Sequence, residues 1–325
     1  MKRLAVLMMA LAAVAAACGG GGDDDEPTVA DDPSEEPSPS AGPVTIEHRY
    51  GETTIETAPE RIVTIDNQWL DVLLALDAPV VAAVSDPYVD GGRYPWQELA
   101  ADVEQIPASG EAIPFEAIAA ARPDLIVVTF AAQDEATYDT LSDIAPTIPL
   151  LGEEEVDAWE DIAATAGRIL DEAEAAQALV DDADAAAAAL AEELPGLDGK
   201  TYAMANYVAG DGIYVIADPE DGAAQLFYKL GLTIDPEILA EADGAAGRVQ
   251  LSTERIDELD SDLVLMLTND SDPNEIPGYA NLPAVQSGAI AIVDFSVAVA
   301  LNTPSGTSVA WAVDQIRPAL EAAAA

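Results

Sequence analysis

Aromatic, amide and arginine side chains follow the ends of the predicted strands in both halves of this 325-residue chain. Aromatic rings supply flat apolar surface, and arginine and amide groups supply hydrogen-bond donors, a combination that suits a large organic ligand. The residues predicted to contact such a ligand are Asn67, Trp69, Tyr88, Arg93 and Phe130 in the first half and Tyr207, Arg248 and Phe295 in the second. Further candidates beside them are Gln68, Asp86, Trp96, Tyr214 and Asn269, of which Trp96 follows a proline and is more typical of ordinary packing.

The sequence offers few groups for catalysis or for metal binding by the protein itself. Its single histidine, His48, precedes the first predicted core strand, and its single cysteine, Cys18, precedes the folded part. Neither a phosphate-binding glycine loop nor a dinucleotide fingerprint occurs, and zinc or manganese sites use several histidines and carboxylates. A catalytic carboxylate pair stays open among 61 acidic residues. The composition favours a binding protein over an enzyme, with no metal ligands assigned.

The net charge of −49 is extreme, with only 12 lysines and arginines against the 61 acidic residues. Nucleic-acid binding requires a basic patch, so nucleic acid is excluded as a partner. A strongly acidic surface suits high ionic strength, where salt screens the repulsion between like charges.

Apolar runs of strand length alternate with helical patterns from position 44 onward. This alternation predicts an α/β fold with parallel or mostly parallel sheets, whose ligands bind beyond the carboxyl ends of the strands. Strands are predicted at 61–65, 79–84, 125–130, 148–151, 201–206, 213–216, 263–267 and 290–294. Helices are predicted at 69–76, 116–121, 135–144, 222–230, 253–259 and 307–323.

A longer helix is predicted between the two halves. Residues 173–194 contain neither glycine nor proline and end at Pro195 and Gly196. Apolar residues recur there at steps of three and four, which places them on one helical face. The prediction is therefore two Rossmann-like lobes, 44–172 and 195–325, joined by the single long α-helix 173–194.

Two segments on either side of this helix are alike. At one constant offset, Glu116, Ile118, Asp124 and Leu125 correspond to Glu254, Ile256, Asp262 and Leu263. Each copy is predicted to form a short helix, a turn and a buried strand. The dipole of a helix stabilises a glutamate in its first turn by about 0.3–1 kcal/mol, which explains either glutamate separately but explains the matched pair less well.

The first 17 residues are typical of an export signal. Lys2 and Arg3 precede an apolar stretch too short to span a bilayer, and three alanines precede Cys18. Cys18 has no disulfide partner in the chain. Residues 18–43 are rich in glycine, proline and acidic residues and are predicted to form a disordered tether.

Several segments, in this order and spacing, carry a resemblance to a known family: 58–63, 73–81, 115–126, 138–147, Trp159 and 282–288. Together they resemble the substrate-binding lipoproteins of ABC importers for ferric siderophores and cobalamin, over positions 44 to 320. The stretch before Cys18 is similar to a bacterial lipoprotein signal, although Ala15 stands where that pattern prefers leucine. A plain secretory signal is the alternative.

The resemblance implies a function and an architecture. It implies capture of a ferric siderophore between two lobes that close only slightly, and delivery to an ABC permease for iron uptake. Iron would be bound only as a chelate, with no cofactor, and Glu116 and Glu254 would dock the two lobes onto the permease. It also implies a monomer anchored to the outer face of the cell membrane by lipid on Cys18.

The class of ligand stays open at this point. So few arginines favour neutral or cationic hydroxamate complexes over anionic catecholates, although Arg93 and Arg248 could reverse this locally. Cobalamin and haem are the alternative ligands. A surface lipoprotein without a transport role is the alternative function.

Overall fold

The structure, a computed structural model, describes residues 42–108, 112–132, 134–153, 156–242 and 247–325. The predicted signal, Cys18 and nearly all of the predicted tether lie outside these residues. Among the described helices, none is both long and apolar enough to cross a membrane.

Five short parallel strands form the sheet of the first half of the described chain, which we call the N-lobe. The N-lobe strands are β1 (Val44–His48), β2 (Gly51–Ile55), β3 (Ile62–Thr64), β4 (Val80–Ser85), β5 (Glu104–Pro107), β6 (Leu125–Val127) and β7 (Thr147–Ile148). The sheet order is β5-β4-β3-β6-β7, whereas β1 and β2 form a separate antiparallel hairpin. Strands β3 and β6 are buried along their whole length, as expected where helices cover both faces of a parallel sheet.

The N-lobe helices pack against this sheet. They are α1 (Asn67–Ala75), α2 (Phe115–Ala120), α3 (Glu135–Ser142) and α4 (Trp159–Leu170). Helix α1 begins directly after β3, where the Asp66 carboxylate accepts a hydrogen bond from the Trp69 backbone N–H at 3.4 Å. Every residue from Asn67 to Leu73 is buried, so α1 has neighbours on all sides.

The predicted connecting helix is present as α5 (Ala173–Glu193), which joins the N-lobe to the second half of the chain, the C-lobe. Close packing fixes both of its ends. A Cβ atom on Gly167 of α4 would lie 2.6 Å from the Cβ of Ala176, and a Cβ on Gly196 would lie 1.9 Å from the carbonyl oxygen of Ala324. Only glycine allows approaches this close.

The C-lobe sheet is mixed. Its strands are β8 (Thr201–Val208), β9 (Gly212–Ile216), β10 (Thr233–Ile234), β11 (Arg248–Leu251), β12 (Leu263–Leu267) and β13 (Ile290–Val293). The order is β11-β9-β8-β12-β13, with β10 also beside β8. Strands β8, β10, β12 and β13 are parallel, whereas β9 and β11 are antiparallel to their neighbours. The short connection between β8 and β9 is a hairpin, which can join only antiparallel strands.

The C-lobe helices are α6 (Gln225–Lys229), α7 (Pro236–Glu241), α8 (Pro283–Ser287), α9 (Phe295–Asn302) and α10 (Gly306–Ala323). Ser305 caps α10 in a reciprocal pair of hydrogen bonds with Ser308, an arrangement that fixes where the helix starts. The helix predicted at 253–259 is a 3-10 helix, Thr253–Glu258, and not an α-helix.

The two similar segments share a hydrogen-bond arrangement. Asp124, before β6, accepts from the backbone N–H groups of Glu60 and Arg61 at 2.8 Å each, just before β3. Asp262, before β12, accepts from the backbone N–H of Thr201 at 2.9 Å, where β8 begins. In each lobe an aspartate therefore ties the start of one central strand to the start of its neighbour.

Replacement of Asp124 by alanine is expected to lower the unfolding free energy by about 1–2 kcal/mol, because two backbone N–H groups lose a charged acceptor. The change in unfolding free energy is measured by urea denaturation monitored by circular dichroism. Asp143→Ala is the matched control, since Asp143 is exposed and its carboxylate accepts no hydrogen bond within the described part of the chain. Equal unfolding midpoints for the two variants would contradict the prediction.

Candidate ligand-binding cleft

Two recesses lie at the carboxyl ends of the central strands, one on each lobe. The N-lobe recess has a volume of about 210 Å³ and is lined by residues that follow β3 and β4, including Asn67, Tyr88 and Arg93. The C-lobe recess has a volume of about 280 Å³, and Arg248 and Phe295 are among its lining residues. Five of the eight residues predicted to contact a ligand thus line these recesses.

One aromatic contact joins the two recesses. The ring of Tyr88 in the N-lobe lies 5.8 Å from the ring of Phe295 in the C-lobe, with an angle of 57° between the ring planes. Tyr88 is 65% exposed, so most of its surface is available to a ligand. Because the two rings meet, the recesses form the two walls of one cleft.

The loop after β4 positions the N-lobe side of the cleft. Asp86 accepts hydrogen bonds from the Tyr88 backbone N–H at 2.8 Å and from the Tyr94 hydroxyl. Burial, followed by the bond to Asp86, raises the pKa of Tyr94, which therefore remains a protonated donor. Gly92 has a positive φ of 72° and lies so close to Ser85 that a Cβ would clash. This turn brings Arg93 back to the recess.

The C-lobe side of the cleft is organised around Arg248, the first residue of β11. Its Nη1 donates to the Asp221 carboxylate at 2.6 Å, and its Nη2 donates to Asn302 Oδ1 at 2.8 Å. Asp221 is only 2% exposed, so it lies behind the guanidinium and not on the cleft surface. Arg248 is therefore held in one orientation by partners from two other segments.

Three side chains of α1 bond to three consecutive residues of the C-lobe, a contact that we call the interlobe junction. Asn67 Nδ2 donates to Thr303 Oγ1 at 3.0 Å, and Gln68 Nε2 donates to the Pro304 carbonyl oxygen at 3.0 Å. The Ser305 hydroxyl donates to Asp71 at 2.7 Å. Asn67 thus contributes a hydrogen bond to the interlobe junction and also lines the N-lobe recess.

Asp71 is the charged centre of the interlobe junction. Its carboxylate also accepts from Trp96 Nε1 and Gln97 Nε2 at 2.7 Å each. The Trp96 ring lies 5.2 Å from the ring of Trp311 in the C-lobe, so Trp96 is a packing residue, as its position after a proline indicates. Burial raises the pKa of Asp71 to about 6, and it does the same for nearby Asp66.

Two of the predicted contact residues lie elsewhere. Trp69 is 0% exposed in the N-lobe core, because α1 is covered on every side. Tyr207 is 8% exposed and belongs to the C-lobe core. Rings that are buried in this way offer almost no surface to a ligand, so the prediction is wrong for both. Phe130 begins a 3-10 turn, Phe130–Ala132, but its side chain lies outside the described part of the chain.

Sequence reasoning missed the partners that hold the cleft in shape. Asp221 and Asn302 orient Arg248, and Thr303 and Ser305 bond to α1. A signal existed for Asp221, since it follows the end of the predicted strand 213–216 by only a few residues. Asn302 is 54 positions from Arg248, and the contacts of Thr303 and Ser305 with α1 join residues more than two hundred positions apart, which no local pattern reveals.

The described residues hold no group of three histidine, cysteine, aspartate or glutamate side chains that is placed to bind a metal ion. His48 lies in the β1–β2 hairpin, where its Nε2 is 3.0 Å from the Thr53 hydroxyl.

The two matched glutamates lie on the surface, one on each lobe. Glu116 is in the first turn of α2, and Glu254 is in the first turn of the 3-10 helix Thr253–Glu258. Both are exposed, and neither carboxylate has a hydrogen bond or a salt bridge to another described residue. Both are available to a partner.

Comparison with known proteins identifies the family. The model of the periplasmic binding protein family matches residues 62–297, and the chain belongs to this family of binding proteins. The chain is 29% identical over 258 residues to the ferric enterobactin-binding periplasmic protein FepB of Escherichia coli O6:H1, covering 73% of this chain and 79% of that protein. It is 28% identical over 268 residues to the probable siderophore-binding lipoprotein YfiY of Bacillus subtilis, covering 77% and 80%.

A solved structure supports the fold. The crystal structure of PiaA from Streptococcus pneumoniae in complex with ferrichrome matches with a TM-score of 0.73 and 21% identity, over 86% of this chain and 98% of that one. The two-lobed α/β fold predicted from the sequence is confirmed.

The raised pKa of Asp71 predicts a dependence of stability on pH. The folded protein holds a proton on Asp71 up to about pH 6, whereas the unfolded chain releases it near the ordinary value of 3.8. Between these pH values the folded state binds more protons, so this contribution to stability is present at low pH and is lost as the pH rises through about 6.

The expected loss is up to about 1.4 kcal/mol per pH unit within that interval. Urea unfolding from pH 4.5 to 7 should show a shallower dependence for Asp71→Asn than for the unchanged protein. Asp139→Asn, at an exposed position on α3, controls for loss of one negative charge. The same pH dependence in Asp71→Asn and Asp139→Asn would contradict the assignment.

Proposed function

We propose that this chain is the extracytoplasmic component of an ABC-type importer, which captures a ferric siderophore between its lobes and delivers it to a permease for iron uptake. The observation that carries this proposal is the pair of facing recesses joined by Tyr88 and Phe295. A ligand between them would contact aromatic surface on both sides and donors from Arg93 and Arg248. FepB, YfiY and PiaA, by their names, bind siderophores or take up iron, which supports this ligand class.

The chelator, and not the protein, would hold the iron in this proposal. The aromatic, amide and arginine groups of the cleft match the outer surface of a chelate and are poor ligands for bare Fe³⁺. Selectivity would therefore come from the shape of the cleft and from a few polar contacts. No resident cofactor is required.

Outside the cleft, the protein would contact the membrane and the permease. Lipid on Cys18 would anchor a monomer to the outer face of the cell membrane, and residues 18–43 would act as the tether. Glu116 and Glu254 would bind basic residues of the permease, one on each lobe. Their exposure and their matched positions in the repeat support this role.

Titration of intrinsic tryptophan fluorescence tests the binding function. A ferric chelate is expected to quench the fluorescence saturably at submicromolar concentration, and its iron-free form is expected to bind much more weakly. Haem, cobalamin and free Fe³⁺ complete the panel. If only haem or cobalamin binds tightly, that compound and not a ferric siderophore is the ligand. If the folded protein binds no member of the panel, the proposed transport function is wrong.

Tyr88→Ala is expected to weaken binding of the ferric chelate about tenfold, because it removes exposed aromatic surface at the junction of the two recesses. The matched control is Ile292→Ala. Ile292 is the other large apolar side chain that is prominently exposed among the described residues, and it lines neither recess. If the two variants bind the ferric chelate with equal affinity, Tyr88 does not contact the ligand.

The double variant Glu116→Ala/Glu254→Ala is expected to reduce uptake of radiolabelled ferric chelate at least tenfold, in cells that make the protein with its permease, while its affinity for the chelate stays unchanged. Glu135→Ala/Glu237→Ala is the matched control. Glu135 and Glu237 are exposed glutamates in the first turns of α3 and α7, one on each lobe, so they share any stabilisation by a helix dipole. Equal uptake by the two double variants would contradict docking through Glu116 and Glu254.

A further inference from the structure

Each wall of the cleft carries an arginine together with an acidic group. In the N-lobe, Arg93 and Asp86 line the same recess. In the C-lobe, Arg248 lines the recess and is paired with Asp221 from behind. The positive charge that a ligand meets therefore depends on how well these carboxylates balance the two guanidinium groups.

The pair of Asp221 and Arg248 is built into the C-lobe. One carboxylate oxygen of Asp221 accepts from the Ala223 backbone N–H at 2.8 Å, and the other accepts from Arg248 at 2.6 Å. Asp221 is 2% exposed, whereas the side chain of Arg248 is 23% exposed. A carboxylate that is removed from water in this way needs its cationic partner, so the pair persists when the cleft is empty.

The location of the pair has an electrostatic consequence. Asp221 lies behind Arg248, so a ligand would contact the guanidinium surface. The negative charge of Asp221, at short range, lowers the positive potential that Arg248 presents to that ligand. In a partly buried site this compensation is screened much less than it would be in water. Arg248 can still donate hydrogen bonds, but it attracts an anion only weakly.

We propose that Asp221 sets the charge preference of the cleft, by neutralising Arg248 so that the site selects ferric chelates without net negative charge. This inference rests on the proposed siderophore-binding function and names the class of chelate. Three hydroxamates balance the charge of Fe³⁺ and leave an uncharged complex, whereas three catecholates leave a complex with three negative charges. The inferred ligand thus differs from the catecholate complex named in FepB, although that relative is similar in sequence.

Fluorescence titration with ferrichrome, an uncharged trishydroxamate complex, and with ferric enterobactin, a tricatecholate complex, tests this inference. The unchanged protein is expected to bind ferrichrome at least tenfold more tightly. Asp221→Asn keeps an acceptor for the Ala223 N–H but removes the negative charge, so it should strengthen binding of ferric enterobactin about tenfold and make that binding more sensitive to salt.

Asp218→Asn is the matched control, because it removes one negative charge three positions away. Asp218 accepts from the Glu220 backbone N–H and forms no salt bridge with another described residue. Thermal melting establishes that each variant is folded. Should Asp221→Asn not fold, the salt dependence of the unchanged protein provides the second test: because Arg248 is neutralised, binding of ferric enterobactin should not weaken as the salt concentration rises.

Three results would overturn the inference. These are tighter binding of ferric enterobactin than of ferrichrome by the unchanged protein, an equal effect of Asp218→Asn and Asp221→Asn, and a marked loss of ferric enterobactin binding by the unchanged protein as the salt concentration rises. None of these three results would contradict the proposed binding of siderophores. Failure of both chelates to bind the folded, unchanged protein would overturn the proposed function together with the inference, so the two failures are distinguishable.

Discussion

The hydrogen bonds between α1 and Thr303–Ser305 are the constraint on which the geometry of the cleft depends. Helix α1 starts at the carboxyl end of the central strand β3, so its first residue, Asn67, lies at the edge of the N-lobe recess. The same helix bonds to the C-lobe segment that follows Asn302, a lining residue of the opposite recess. One buried junction therefore sets the position of both walls, and the buried carboxylate of Asp71 makes loss of its partners costly.

A cleft of this kind suits a ligand that arrives with its metal already coordinated. The two walls come from different lobes, and each provides aromatic surface and an arginine. In the C-lobe, Asp221 and Asn302 hold Arg248 in place. Because Arg248 is fixed before the ligand binds, its side chain needs little further ordering on binding. The long helix α5 and the interlobe junction connect the lobes at separate places.

Local patterns in the sequence predicted what is local in the structure. The long helix appears at Ala173–Glu193 within one residue of its predicted end, because a run without glycine or proline and with helical periodicity has few alternatives. Strand β12 coincides with the prediction at 263–267. The matched aspartates, Asp124 and Asp262, accept hydrogen bonds from backbone N–H groups at the start of the neighbouring strand in their own lobe, which explains why the two segments are alike.

Side-chain direction and long-range contacts could not be predicted in the same way. Trp69 does follow a strand end, but the packing of α1 on all sides turns its ring into the core. The alternation of strands and helices also gave no sign of the reversed strand β9, which arises from a hairpin with β8 and against which β11 pairs antiparallel. The interlobe junction joins residues 236 positions apart, such as Asn67 and Thr303, and only the folded chain brings them together.

Anomalous X-ray scattering at the iron edge, from crystals of the protein grown with ferrichrome, tests the central claim most directly. The account predicts one iron peak between the two recesses, near Tyr88 and Phe295, with all of the iron ligands supplied by the chelator. An iron ion bound directly by protein side chains, or a chelate bound outside this cleft, would contradict it.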